Sequence, residues 1–128
     1  MTYADIEKLC RKMRGVTLEY PFGNSKVFKV GGKMFAMIPM NGKKAGGIWF
    51  KVGESSFQIL TRVKGIKPCP YLARAHWVAM EHLMPLKANE LRAYLERAHA
   101  IVGNKLPKKK REALGIAPLP SEDLNPFL

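Results

Sequence analysis

Ile6, Leu9, Cys10 and Met13 recur at three- and four-residue spacing, the period of one helix face, and predict an amphipathic helix over residues 3–14. Thr2 is placed to cap its start, with Asp5 three residues on as the acid of a capping box, and Gly15 ends it. Its outer face carries Lys8, Arg11, Lys12 and Arg14; basic residues late in a helix also suit its negative end. After Gly15 the period falls to two. Residues 16–20, 26–30 and 34–38 read as strands, the last two joined across Gly31-Gly32, a two-residue hairpin signal. Asn41-Gly42, followed by Lys43-Lys44, marks the next turn. The chain then returns through residues 47–52, where Ile48, Phe50 and Val52 alternate with Trp49 and Lys51. The stretch from 16 to 52 is an antiparallel meander with one face covered.

Beyond it, Phe57, Ile59 and Leu60 mark a short helix over 54–62, and Gly65-Ile66-Lys67-Pro68-Cys69-Pro70 reads as a stiff loop. Residues 75–81, centred on His76-Trp77-Val78, read as a further strand. Leu91, Leu95, Ala98 and Val102 form the clearest apolar stripe, a helix over 89–102 stopped by Gly103. Pro107 suits the first turn of a last short helix over 108–114. Helices at both ends of an antiparallel sheet give an α+β sandwich with the helices on one sheet face. Residues 1–114 form the single domain, and 115–128 are read as an extended or flexible tail whose Leu119, Leu124, Phe127 and Leu128 could dock back onto it.

With 128 residues, 47% of them apolar, the chain suits one domain with one core. No stretch reaches the roughly 20 apolar residues of a membrane span, and the first residues have no basic-then-apolar signal pattern; a cytoplasmic location and no membrane partner are expected. Cys10 lies on the first helix's apolar stripe and Cys69 in a proline-flanked loop, and two thiols at this spacing make neither a metal site nor a redox motif. Charge changes the picture most. Twenty-two Lys and Arg against ten Asp and Glu give a formal net charge of +12, a surplus that attracts polyanions whatever the fold.

Several spaced motifs, Tyr20-Pro21-Phe22-Gly23, the run from Val27 to Ala36, Gly65-Ile66-Lys67-Pro68, Tyr71-Leu72, Ala75-His76-Trp77 and Leu106-Pro107-Lys108-Lys109, together resemble the MmcQ/YjbR family of bacterial proteins over roughly residues 2–114. The resemblance implies a frataxin-like (CyaY-like) sandwich and the "double-wing" DNA-binding role proposed for that family. Ala73-Arg74 stands where the family commonly has Asn-Lys, and Ala98-His99 where it often has Ser-Tyr. Frataxin binds iron on an acidic helix face; here the first helix has only Asp5 and Glu7 against four basic residues, so the fold carries over and the iron role does not.

The candidate phosphate contacts are Lys43 and Lys44 on the Asn41-Gly42 turn, Lys64, Lys67 and Arg74 around the stiff loop, and Lys105, Lys108, Lys109, Lys110 and Arg111 near the last helix. Successive hairpin turns lie at opposite ends of a meander, so Lys33 and Lys43-Lys44 cannot insert together. Trp49, opposite Ile48 and Phe50, is a candidate for base stacking, or is covered by a helix or the tail. Turn and end lysines also occur simply as solvated charge. His76, His82 and His99 lack ligand spacing, so no metal or cofactor is expected. Neither paired carboxylates nor a nucleophile triad stands out, and the chain is not expected to be an enzyme. The expected function is binding to DNA or another polyanion with little sequence specificity. Alternatives are an interaction module for an acidic protein, weak self-association of a monomer, or a small-ligand pocket between sheet and helices lined by Trp77, Tyr71 and His76.

Overall fold

A computed structural model of the chain describes residues 1–121 and 125–127. In chain order the elements are α1 (Tyr3–Arg11), β1 (Val16–Glu19), β2 (Lys26–Val30), β3 (Lys33–Ile38), β4 (Met40–Asn41), β5 (Lys44–Ala45), β6 (Ile48–Lys51), α2 (Glu54–Leu60), β7 (Ile66–Pro68), β8 (Trp77–Met80), α3 (Ala88–Gly103) and α4 (Lys108–Ala113). Six strands form one sheet in the order β1-β2-β3-β6-β8-β7, and β4 and β5 form a separate small hairpin. All neighbouring pairs are antiparallel. The α+β class, the central meander and the terminal helices therefore stand as the residue pattern predicts.

The capping box forms in full. Thr2 N–H donates to Asp5 Oδ2 at 2.9 Å, and Asp5 N–H donates to Thr2 Oγ1 at 3.1 Å. These bonds satisfy donors that the first helical turn leaves free. On α3 the stripe Leu91, Leu95, Ala98 and Val102 is buried, with Tyr94 and Ile101 beside it. This face packs on β2, β3 and β6, and α1 packs beside it against α3 and β1.

Strand register separates the two sheet faces. Leu18, Phe28, Ala36, Phe50, Val78 and Pro68 share one row across the sheet. Phe28, Ala36, Phe50 and Val78 are fully buried in the core under the helices, where Phe50 meets the Tyr94 ring at 6.1 Å. The neighbouring row, Glu19, Val27, Met37, Trp49, Ala79 and Lys67, must point the other way, because strand side chains alternate. A register shift between Phe28 and Lys29 lets Phe35 join the core beside Ala36, where it contacts the His99 ring edge-on at 5.5 Å.

Two local expectations change. The segment 65–70 is not wholly loop, because residues 66–68 pair with β8 as an edge strand. Pro68 ends that strand, and an edge is where a residue lacking an N–H costs no ladder bond. Three residues between prolines and a glycine are too short for a period-two signal. The strand expected over 75–81 starts only at Trp77, because Ala73–Ala75 form a 3-10 turn closed by His76 at φ 57°. The segment after 114 packs back onto the domain in its described part. Ile116 is buried against Gly103, Leu119 N–H donates to Asn104 Oδ1 at 3.0 Å, and Asn125 is buried between Ser56 and Tyr94. Phe127 lies edge-on to Tyr94 at 5.5 Å, whereas Leu124 and Leu128 lie outside the described residues. No described helix is long and apolar enough to cross a membrane.

Candidate functional site

The sheet face opposite α1 and α3 carries a smaller apolar cluster, in which Cys69, Trp77 and Ala79 are buried and Met34, Trp49 and Leu72 are partly exposed. It forms because the outward Met34, Met37, Trp49 and Trp77 of β3, β6 and β8 are large and apolar, while none of the described helices lies over them. Met34, Met37, Trp49 and Trp77 floor a cavity of about 380 Å³. Phe22 closes it from the β1–β2 connection, and Pro70, Tyr71 and Leu72 from the β7–β8 connection. Its lining is aromatic and aliphatic, with no charged side chain.

That second connection is held firmly. Cys69 N–H donates to the Trp77 carbonyl at 3.0 Å, Leu72 N–H to the Cys69 carbonyl at 3.2 Å, and Trp77 N–H to the Leu72 carbonyl at 3.2 Å. Tyr71 sits in the left-handed region at φ 66°, unusual for a bulky residue, and its side chain stands 101% exposed.

A basic cleft adjoins the apolar slot. Lys33, Lys51 and Lys105 line it together with Met34 and Trp77, which belong to both cavities. Lys51 is buried and directs its amine to the Ala75 carbonyl. Trp49 and Pro70 also line a further cleft shared with Asn41, Gly46, Lys67 and Glu81. There Lys67 donates to Glu81 at 2.9 Å, and that hydrogen bond holds the Glu81 carboxyl below its ordinary range. The β4–β5 hairpin projects beside this cleft with Lys43 and Lys44 exposed, tied back by Asn24 Nδ2 donating to the Gly42 carbonyl and Met40 N–H donating to Ser25 Oγ at 3.0 Å.

The structure thus brings together Lys67, Trp49 and Lys105 along one trough, with Lys43 and Lys44 at its hairpin end. Lys64 joins Lys67 in a cleft at the β7 edge, lined also by Glu81, His82, Met84 and Pro85. The remaining candidates stand apart. Arg74 is exposed on the 3-10 turn. In α4, Lys110 donates to the Gly31 carbonyl at 2.7 Å, Lys108 lies 4.0 Å from Glu112, and Lys109 is exposed. Arg111 is half-buried and donates to the Ile116 carbonyl at 2.9 Å, so it clamps the tail rather than facing solvent as a phosphate contact would. Lys43-Lys44 and the α4 run stand at opposite ends of β3 and cannot form one compact footprint.

Sequence reasoning missed Lys51 and the floor residues Met34 and Met37. Their signal was present: the outward positions of the alternating strands were themselves apolar or aromatic, which a solvated face does not require. The pocket expected between sheet and helices is also relocated. Trp77 and Tyr71 line the helix-free side, while His76 instead meets the Phe57 ring at 5.5 Å. His99 is occupied by the Arg14 carbonyl, its Nε2 2.8 Å away. Among the described residues no group of three or more His, Cys, Asp or Glu is arranged to hold a metal ion.

Comparison with known proteins agrees with this architecture. The Deinococcus radiodurans protein DR2400, with a DUF419 domain, superposes with a TM-score of 0.80 at 23% identity, over 97% of this chain and 96% of its own. A Pseudomonas syringae protein superposes with a TM-score of 0.63 at 22% identity, over 80% of this chain and 99% of its own. At these identities the likeness concerns the fold. The sequence has no significant match among curated proteins. The YjbR family model, however, matches residues 11–101, from the end of α1 through the whole sheet and most of α3, and the chain belongs to the YjbR family.

Proposed function

We propose that the chain binds nucleic acid across its helix-free sheet face, holding phosphates at the basic ends of the trough and discriminating little between sequences. The observation that carries this reading is the convergence of Lys33 and Lys105 on one cleft, beside the buried Lys51 whose amine is held by the Ala75 carbonyl, in a chain of formal net charge +12. Lysines on long stems at a cleft mouth suit phosphate, which needs charge and reach more than fixed geometry. Lys43 and Lys44 supply a second cationic region at the far end of β3. A six-residue strand spans about 20 Å, so a chain of several nucleotides reaches both ends.

Fluorescence anisotropy with labelled oligonucleotides across a salt series tests the reading. Log affinity should fall linearly with log salt, each phosphate contact contributing about 0.7–0.9 to the slope. The double variant Lys33→Ala/Lys105→Ala should weaken binding and flatten that slope. Absence of binding to any oligonucleotide at ~50 mM salt, where such contacts are strong, would reject it. Binding only to an acidic protein, surviving nuclease treatment, would assign the basic ends to a protein partner instead.

A further inference from the structure

We infer that the cleft between α1 and α3, on the helix side of the sheet, binds a small phosphate-bearing ligand, its phosphate held by Lys8, Lys12 and Arg92. The inference is independent of the nucleic-acid reading of the trough.

Three cations from two helices line this cleft of about 550 Å³, a volume within the usual range of small-molecule sites. Lys8 and Lys12 stand one helical turn apart on the same face of α1, and like charges at that spacing repel. Arg92 joins them from α3, which packs against α1. Among the described residues, none of the three lies within ion-pair distance of a carboxylate or makes a side-chain hydrogen bond. The neighbouring acid on α1, Glu7, is taken by Lys26 at 2.7 Å and Arg11 at 3.9 Å. By contrast, Lys29 and Lys67 hold carboxylates, and Lys110 and Arg111 hold carbonyls.

Helix electrostatics accounts for part of this arrangement, because Lys8 and Lys12 lie near the negative end of α1. It does not account for Arg92, which sits in the second turn of α3, nearer that helix's positive end. A solvated surface charge needs no like-charged neighbours. Here the cations converge beside an apolar lining of Leu9, Met1 and Ala88, which suits the organic body of a ligand.

Charge sets the ligand's class. Asp5 is the one carboxylate lining the cleft; its capping bonds to Thr2 fix it in place, and its charge acts on Lys8. Three positive side chains against one negative leave a surplus of two. A phosphate monoester carries about that charge above its second pKa of about 6, whereas a carboxylate or a sulfate ester carries half of it.

The test titrates phenyl phosphate into isotopically labelled protein at about pH 7.5, with phenyl sulfate as the singly charged control, and maps amide shifts by nuclear magnetic resonance. Expected are saturable shifts confined to residues 5–12 and 88–92, and at least about fivefold weaker binding of phenyl sulfate. Lys12→Gln/Arg92→Gln should lose at least about fivefold in affinity for phenyl phosphate, with circular dichroism checking the fold. Lys8→Gln supplies the same comparison should the double variant unfold. Binding should weaken as pH falls through about 6, where the ester loses its second charge. Shifts that do not saturate, that are equal for the two esters or that survive these substitutions would overturn the site. A loss of oligonucleotide affinity in the double variant, with no phenyl phosphate binding by the parent, would give the three cations to nucleic acid and overturn it. Cosedimentation of the parent with phosphatidylglycerol vesicles, again with no phenyl phosphate binding, would give them to a lipid surface and overturn it too.

Discussion

Lys110 Nζ donates to the Gly31 carbonyl at 2.7 Å, which fastens α4 to the β2–β3 turn and keeps it at the opposite end of β3 from Lys43 and Lys44. The densest basic run in the chain is therefore partly spent on structure, through Lys110, through the Lys108–Glu112 pair and through the Arg111 clamp on Ile116. The variant Lys108→Ala/Lys109→Ala is expected to lower nucleic-acid affinity less than Lys33→Ala/Lys105→Ala, by at least about threefold at equal salt, each lost phosphate contact being felt most where it lies beside the trough. Anisotropy titrations of the two variants side by side decide this, and an equal or larger loss in the α4 variant would place the phosphate path along α4.

Gly47 occupies the approach of β6 to β8 and has φ +90°, with a built Cβ falling 1.7 Å from the Met80 carbonyl oxygen. Its N–H also donates to Tyr3 Oη at 2.8 Å. Gly47→Ala combines left-handed strain with overpacking against backbone, and should cost about 3 kcal/mol or more. Urea unfolding monitored by far-ultraviolet circular dichroism measures it; a change under about 1 kcal/mol, an ordinary surface substitution, would contradict the geometry.

Asn125 joins the tail to the domain through two donors, to Ser56 Oγ at 3.0 Å and Tyr94 Oη at 2.7 Å, while its own Oδ1 accepts from Phe127 N–H at 2.9 Å. Replacing it by Leu removes a donor from each of two buried hydroxyl oxygens and should destabilise the fold by about 1–3 kcal/mol. Proteolysis should then release the C-terminal segment faster than in the parent. Unchanged stability and cleavage would show the docking to be energetically idle.

Asp5 gives a pH signature. The Thr2 backbone N–H bond, then the Thr2 hydroxyl, hold its carboxyl below the ordinary value of 3.8. A depressed folded value means the stabilisation is complete above the unfolded value and fades as pH falls through the folded one. The parent should therefore lose stability from about pH 4 downward, and Asp5→Asn should lose less over that interval. Urea midpoints at neutral pH and near pH 3 make the comparison, and parallel acid losses in both proteins would remove Asp5 from the cause.

Burial pushes both the Cys10 and the Cys69 thiols up to about 12, far from the thiolate form that reacts. Native protein should react with a thiol-specific disulfide reagent only slowly at pH 8, and denatured protein should titrate both thiols at once. Prompt reaction of Cys69 in the native state would mean that the β7–β8 connection opens and that the slot is not preformed.

The residue pattern determined the α+β class, the helices with their apolar stripes, the hairpin at Gly31-Gly32 and the alternation that sets Trp49 and Lys51 against Ile48 and Phe50. These are properties of a period of two or 3.6 and of local turn and cap chemistry, so a short window of chain contains them. Only tertiary structure decided which cations share a surface. Lys33, Lys51 and Lys105 stand far apart along the chain and meet because β3, β6 and the end of α3 are brought together by strand pairing and core packing. The same packing set Lys43-Lys44 and α4 at opposite ends, drew Arg111 onto the tail, and left Trp49, Met34 and Met37 under none of the described helices. Which face the helices cover is a matter of how the whole sheet buries its apolar rows, and no local run of residues carries that choice.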